Sequence, residues 1–226
     1  MVRIKVADGE FDAPVWEPAS GRGPGLVLVQ EVFGLDPYLR SVAADLAALG
    51  YVVAVPELFW RIEPGWTSGH DDAGLAASMA VGRRFDFASG VSDVIATLDR
   101  LRARTGRAGV LGFCLGGSLA YETAVAASPD VAVSFYGSGV PDRIDALDAV
   151  TCPVQFHFGG QDPYIPRDAV RRVADAAADR PHAEVHVQEA AGHAFHNHVA
   201  TKFHHPAAAA AAWDLTTAFL RRALPA

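Results

Sequence analysis

The chain has 226 residues, half of them hydrophobic and only 20% charged, which is enough apolar material for a sizeable core in one domain spanning residues 1–226. A formal net charge of −7 argues against a nucleic-acid-binding surface. No apolar run reaches the length of a membrane span, MVRIKVADGE carries no apolar signal-peptide core, and the two cysteines read as free thiols, so the expected setting is the cytoplasm, with no membrane partner.

RIKV and FDAPVWEP show strand-like alternation around a turn at Gly9, and residues 21–25 form a turn-rich connector. LVLVQ (26–30) is a continuous apolar run, the pattern of a strand buried on both faces. Asp36-Pro37 starts a helix that runs to Leu49, where Gly50 ends it. YVVAV (51–55) is a second buried strand, and residues 56–72, rich in Pro, Gly, Trp and His, read as a long loop. Helical patterns follow at 73–84 and 86–104, then the strand AGVLGF (108–113) and a helix to Ala127. VAVSFYG (131–137) and PVQFHFG (153–159) are further strands; a helix at 167–179, the strand AEVHVQE (183–189) and a helix at 206–222 finish the chain. This alternation predicts an α/β fold, a mainly parallel central sheet with helices on both faces.

The strand at 108–113 runs straight into Gly112-Phe113-Cys114-Leu115-Gly116-Gly117. A nucleophile at the tip of a sharp strand-to-helix turn brings the residues two positions away into close contact, so glycine suits both 112 and 116. The helix beginning there points its N-terminus at Cys114, which favours thiolate over thiol. Asp162 follows the strand ending at Phe158, and His193 follows the strand at 183–189. Each of these has an ordinary structural explanation by itself: a buried cysteine, a turn aspartate before Pro163, one loop histidine among several. Three such residues, each directly after a strand and in the order nucleophile, acid, histidine, point instead to a triad.

Four pieces carry a wider resemblance: Gln30-Glu31-Val32-Phe33-Gly34, Gly112-Phe113-Cys114-Leu115-Gly116-Gly117, Gly159-Gly160-Gln161-Asp162 and Ala191-Gly192-His193-Ala194-Phe195. With the strand and helix spacing, the sequence resembles the dienelactone hydrolase family of α/β-hydrolases over nearly its whole length. The resemblance implies the α/β-hydrolase fold, hydrolysis of cyclic enol esters such as dienelactones, and no cofactor. It implies Cys114 as nucleophile, His193 as base, Asp162 as the acid that orients it, and Glu31 as a partner of the resting thiol. It also implies an oxyanion hole made by the N–H groups of Leu115 and Val32. One departure bears on the substrate. The family grips a substrate carboxylate with two arginines, and at those places this chain has DAGLAASMA (72–80) and Asn197.

Sulfur at position 114 narrows the chemistry on separate grounds. In a tetrahedral intermediate the thiolate competes with the ester oxygen to leave, and the group of lower pKa leaves faster. An alkyl alkoxide loses that contest, whereas an enolate or phenolate wins it. Activated esters, enol lactones and thioesters are therefore favoured over peptides and simple alkyl esters. The alternatives are a general carboxylesterase or thioesterase acting on an uncharged substrate, a non-catalytic binding module, and a thiol redox sensor, the last disfavoured by the lack of a C-x-x-C pair. Phe33, Trp60, Tyr136, Tyr164, Phe195 and Asn197 are the candidate pocket residues. His193 and His196 have H-x-x-H spacing, but with no H-E-x-x-H and no nearby cysteine pair no metal is expected. The expected partner is a small ester or lactone, and the expected assembly a monomer, with a dimer as the alternative.

Overall fold

A computed structural model describes all 226 residues. Strands β1 (Val2–Val6) and β2 (Gly9–Ala13) form an antiparallel hairpin with Ile4 opposite Phe11. The remaining strands are β3 (Val15–Trp16), β4 (Gly25–Val29), β5 (Val52–Ala54), β6 (Ala108–Phe113), β7 (Ala132–Phe135), β8 (Val154–Gly159) and β9 (Ala183–Gln188). They make a seven-stranded sheet in the order β3-β5-β4-β6-β7-β8-β9, parallel throughout except at β3. Helices α1 (Pro37–Ala48), α2 (Asp72–Gly82), α3 (Phe87–Thr105), α4 (Leu115–Ala127), α5 (Arg167–Ala177) and α6 (Pro206–Ala223) connect and cover them. The fold is the expected α/β class, with a mainly parallel sheet.

The local causes are legible in the residues. Every residue of β4, β6, β7 and β8 is buried, as a sheet covered by helices on both faces requires; β4 and β6 are unbroken apolar runs, while β7 and β8 also bury Ser134, Gln155 and His157. β9 lies at the sheet edge and its residues are only half-buried, which matches its mixed AEVHVQ composition. Asp36 caps α1 by accepting from the Leu39 N–H at 2.8 Å, with Pro37 in the first turn. Gly106 ends α3 at φ +80°, a backbone setting that favours glycine. A single cluster of 53 buried apolar residues fills the space on both sides of the sheet. No helix is long and apolar enough to cross a membrane.

Two segments differ from the sequence-based expectation. FDAPVWEP is not one strand: Pro14, which has no N–H to donate, separates β2 in the hairpin from β3 on the main sheet. Between β7 and β8, Pro141–Ala149 forms a 3-10 segment that no strong periodicity announces. What matters for function is polarity. β4, β6, β7, β8 and β9 all run the same way, so the residues that follow them gather at one edge of the sheet.

Candidate active site

Cys114 stands between β6 and α4 with φ +55° and ψ −114°, a setting that L-residues seldom adopt. The turn is tight enough that a side chain at 112 or 116 would collide with backbone. A Cβ on Gly112 would lie 1.9 Å from the Gly116 carbonyl oxygen, and one on Gly116 would lie 2.3 Å from that of Val29. The two glycines thus allow the elbow to form, and the elbow presents sulfur at the N-terminus of the thirteen-residue α4.

Two loops complete the centre. His193, after β9, places Nε2 3.2 Å from Cys114 Sγ, and its Nδ1 lies 2.7 Å from Asp162 Oδ2. Asp162, after β8, has a fully buried side chain, and its other oxygen accepts from the Tyr164 N–H at 2.8 Å. The carboxylate therefore fixes one ring nitrogen, which leaves the other for sulfur. Burial alone would push the His193 imidazole down. The neighbouring Cys114 sulfur and Asp162 outweigh it and hold His193 at about 11. A proton is stable on this ring while sulfur and carboxylate flank it.

Glu31 follows β4 and is also buried, at 3% exposure. Its hydrogen-bond partners are Asn197 and Tyr136. Its Oε2 accepts from Asn197 Nδ2 at 2.6 Å and its Oε1 from the Tyr136 hydroxyl at 3.1 Å, while Cys114 Sγ is turned to His193. Burial raises its carboxyl to about 7, opposed by the two donors and assisted by Asp36. Tyr136 and Tyr38 remain neutral donors, because burial and then Glu31 push both phenols well above their ordinary value.

The model of the dienelactone hydrolase family matches residues 11–224. The chain belongs to that family. A carboxymethylenebutenolidase of Pseudomonas sp. strain P51 is 34% identical over 191 residues, covering 83% of this chain and 80% of its own. A carboxymethylenebutenolidase of Rhodococcus opacus is 34% identical over 218 residues, covering 91% and 83%. A crystal structure from Klebsiella pneumoniae, provisionally named a dienelactone hydrolase, superimposes with a TM-score of 0.81 at 26% identity, covering 97% of this chain and 96% of that one. The fold is that of the α/β-hydrolases, and the chain is a hydrolase.

Within this dienelactone hydrolase family member the expected pocket residues separate into three groups. Tyr164 is 61% exposed and sets its ring edge against His193 at 5.1 Å, so it stands at the mouth. Tyr136, Phe195 and Asn197 are fully buried: the first and last hold Glu31, and Phe195 packs on Tyr136 at 5.4 Å. They build the floor and do not form its surface. Phe33 is also buried, against His70. Trp60 is elsewhere. It stacks on Phe11 of the hairpin at 5.7 Å and donates to Asp93 at 2.9 Å, because the apolar underside of β1–β2 needs a cover.

The histidine-rich segment disperses. His196 accepts from the Tyr38 hydroxyl at 2.9 Å and lies among Phe113, Phe135 and Trp213, where burial lowers it to about 3. His205 caps α6 through the Ala208 N–H. Sequence reasoning missed the pair of Asp36 Oδ2 and His70 Nε2, 2.5 Å apart. Asp36 signalled only a helix start, and nothing local to His70 announces a partner 34 positions away.

Proposed function

We propose that the protein hydrolyses an enol lactone of the dienelactone type through Cys114, His193 and Asp162. The single observation that carries this is the continuous line Asp162 Oδ2, His193 Nδ1, His193 Nε2, Cys114 Sγ, with links of 2.7 and 3.2 Å. The carboxymethylenebutenolidases that the chain resembles support the same substrate class.

The geometry supports the following chemistry. The Cys114 thiolate attacks the lactone carbonyl carbon, and the π pair moves onto oxygen. The N–H of Leu115, first in α4 and without an acceptor in its own helix, and that of Val32 receive the oxyanion. The adduct collapses to a thioester, and the ring C–O bond breaks to release an enolate that stays tethered to the acyl group. The His193 imidazolium gives this enolate its proton. His193 Nε2 then takes a proton from water, the hydroxide attacks the thioester, and the thiolate leaves. Asp162 keeps Nδ1 protonated throughout. Glu31 stays near this path as a carboxyl that titrates around neutrality.

A second reading, an uncharged activated ester as substrate, is favoured by Asn197. It is buried on Glu31 and presents no cation to a substrate carboxylate. In either case the partner is a small molecule, and the two free cysteines suit a reducing compartment such as the cytoplasm.

Turnover of a dienelactone and of p-nitrophenyl acetate by wild type and Cys114→Ala separates these readings. Dienelactone turnover abolished in Cys114→Ala supports the first. Turnover of p-nitrophenyl acetate alone, also lost in the variant, moves the function to uncharged esters. Wild-type rates in Cys114→Ala overturn the cysteine mechanism.

A further inference from the structure

We infer that the segment 66–70 is a clamp that aims the oxyanion hole, with His70 and Trp66 as positioning residues. The inference rests on Val32 supplying one oxyanion donor.

Residues 31–36 join β4 to α1 without helix or strand of their own, yet they must hold the Val32 N–H in one direction. A peptide is planar and its N–H and C=O point opposite ways, so fixing the Glu31 carbonyl fixes the Val32 N–H. That carbonyl accepts from Gln30 Nε2 at 3.3 Å and from the Gly34 N–H at 3.5 Å. The Val32 N–H itself makes no hydrogen bond within the protein. Local bonds of 3.3 and 3.5 Å are a weak hold for a donor that has to meet developing charge.

Segment 66–70 supplies the rest. Trp66 Nε1 donates to the Val32 carbonyl at 3.2 Å, the Ser68 N–H donates to that of Phe33 at 3.2 Å, and Gly34 pairs with Thr67 as an antiparallel bridge. The approach is so close that a Cβ on Gly34 would lie 2.0 Å from the Trp66 carbonyl oxygen. His70 closes the clamp: Nε2 meets Asp36 Oδ2 at 2.5 Å, and the ring lies on Phe33 at 4.1 Å between centroids. Its side chain is 7% exposed and that of Asp36 2%. His70 Nδ1 is buried and has no partner, so a proton there would have no acceptor. The proton sits on Nε2, donated to Asp36. Val32, Phe33, Gly34 and Asp36 are thus each tied to a residue of 66–70, namely Trp66, Ser68, Thr67 and His70.

The test uses three variants of the full chain, with p-nitrophenyl acetate as substrate and iodoacetamide as a probe of Cys114. Alkylation by iodoacetamide needs the thiolate and no oxyanion hole. His70→Phe keeps the stacking ring and deletes the donor. Paired with Asp36→Asn, it leaves the α1 cap in place and no uncompensated buried charge, so this double variant decides the matter if His70→Phe alone does not fold. Trp66→Phe deletes only the indole N–H. Removing an oxyanion donor outright costs about 10²–10³ in kcat, and mis-aiming one costs less, about tenfold for the His70 variants and a few-fold for Trp66→Phe. KM and the alkylation rate are expected to stay at wild-type values, and His70→Gln, which returns an N–H at similar reach, to recover most of kcat. An unchanged kcat in the double variant overturns the clamp. So does a fall in alkylation that matches the fall in kcat, since the damage would then lie at Cys114. Failure of the cysteine mechanism shows separately, as activity retained in Cys114→Ala.

Discussion

Asp162 and Glu31 are two buried carboxylates at the same edge of one sheet, after β8 and β4, and they are set up in opposite ways. Asp162 faces an imidazole that holds a proton up to about 11. Glu31 takes its hydrogen bonds from neutral donors, the Asn197 amide and the Tyr136 hydroxyl; its carboxyl is pushed up to about 7 by burial and by Asp36, against the pull of those donors and of His193. Both side chains are buried, yet Asp162 pairs with a proton-bearing imidazole while the Glu31 carboxyl is pushed up to neutrality. For Glu31 burial is the main cause, and the Asn197 and Tyr136 donors only partly oppose it.

The largest expected effect comes from erasing the difference at Asp162. Asp162→Asn keeps the shape and gives His193 Nδ1 a neutral partner, as Glu31 has. The imidazole then loses both its orientation and its counter-charge, and kcat/KM should fall by about 10³–10⁴. Steady-state kinetics on p-nitrophenyl acetate reads this, and a loss under tenfold would mean that Asp162 is only a turn residue.

The next effect is on stability. Between pH 4.5 and about 7, folded Glu31 keeps a proton that the unfolded chain has released. The native state binds more protons in that window, so stability falls as pH rises, by roughly 3 kcal/mol across it. Glu31→Gln cannot ionise and should lack this decline. Denaturant melts at pH 5 and pH 9 should show the variant gaining on wild type by that amount, and a gap that stays constant with pH would show that Glu31 is ionised in the folded protein at both.

The two regions were not equally legible in the sequence. Cys114, Asp162 and His193 each directly follow a strand, β6, β8 or β9, and these strands are parallel, so their meeting at one edge follows from order and topology. The glycines at 112 and 116 carry the elbow in their own identities. The environment of Glu31 has no such local signature. Asn197 and Tyr136 lie 166 and 105 positions away from it, and their role appears only when the loops after β9 and β7 fold over β4. Trp60 misled for the converse reason. It lies in the long loop after β5, while its ring covers a hairpin whose underside the sequence pattern does not mark as needing one. Strand-borne chemistry is readable from order, whereas contacts between loops depend on side-chain packing that no periodicity encodes.

The smallest effect sharpens the contrast from inside the Glu31 pocket. Tyr136→Phe removes one hydroxyl and leaves a buried ring, so it changes little besides the bond to Glu31 Oε1 at 3.1 Å. With Glu31 protonated the lost bond is neutral and costs about 1 kcal/mol; with Glu31 ionised it is charge-assisted and costs about 2 kcal/mol. The variant should therefore be about 1 kcal/mol more destabilised at pH 9 than at pH 5. The Glu31 titration should also move upward, because one of the two donors that hold it down is gone. In Tyr136→Phe combined with Glu31→Gln there is no carboxyl left to titrate, and the extra loss at high pH should vanish. If it persists, the hydroxyl acts on another titrating group. His193 is the one to examine, since its ring lies 5.1 Å from that of Tyr136 and joins the Glu31 pocket to the Asp162 side of the site.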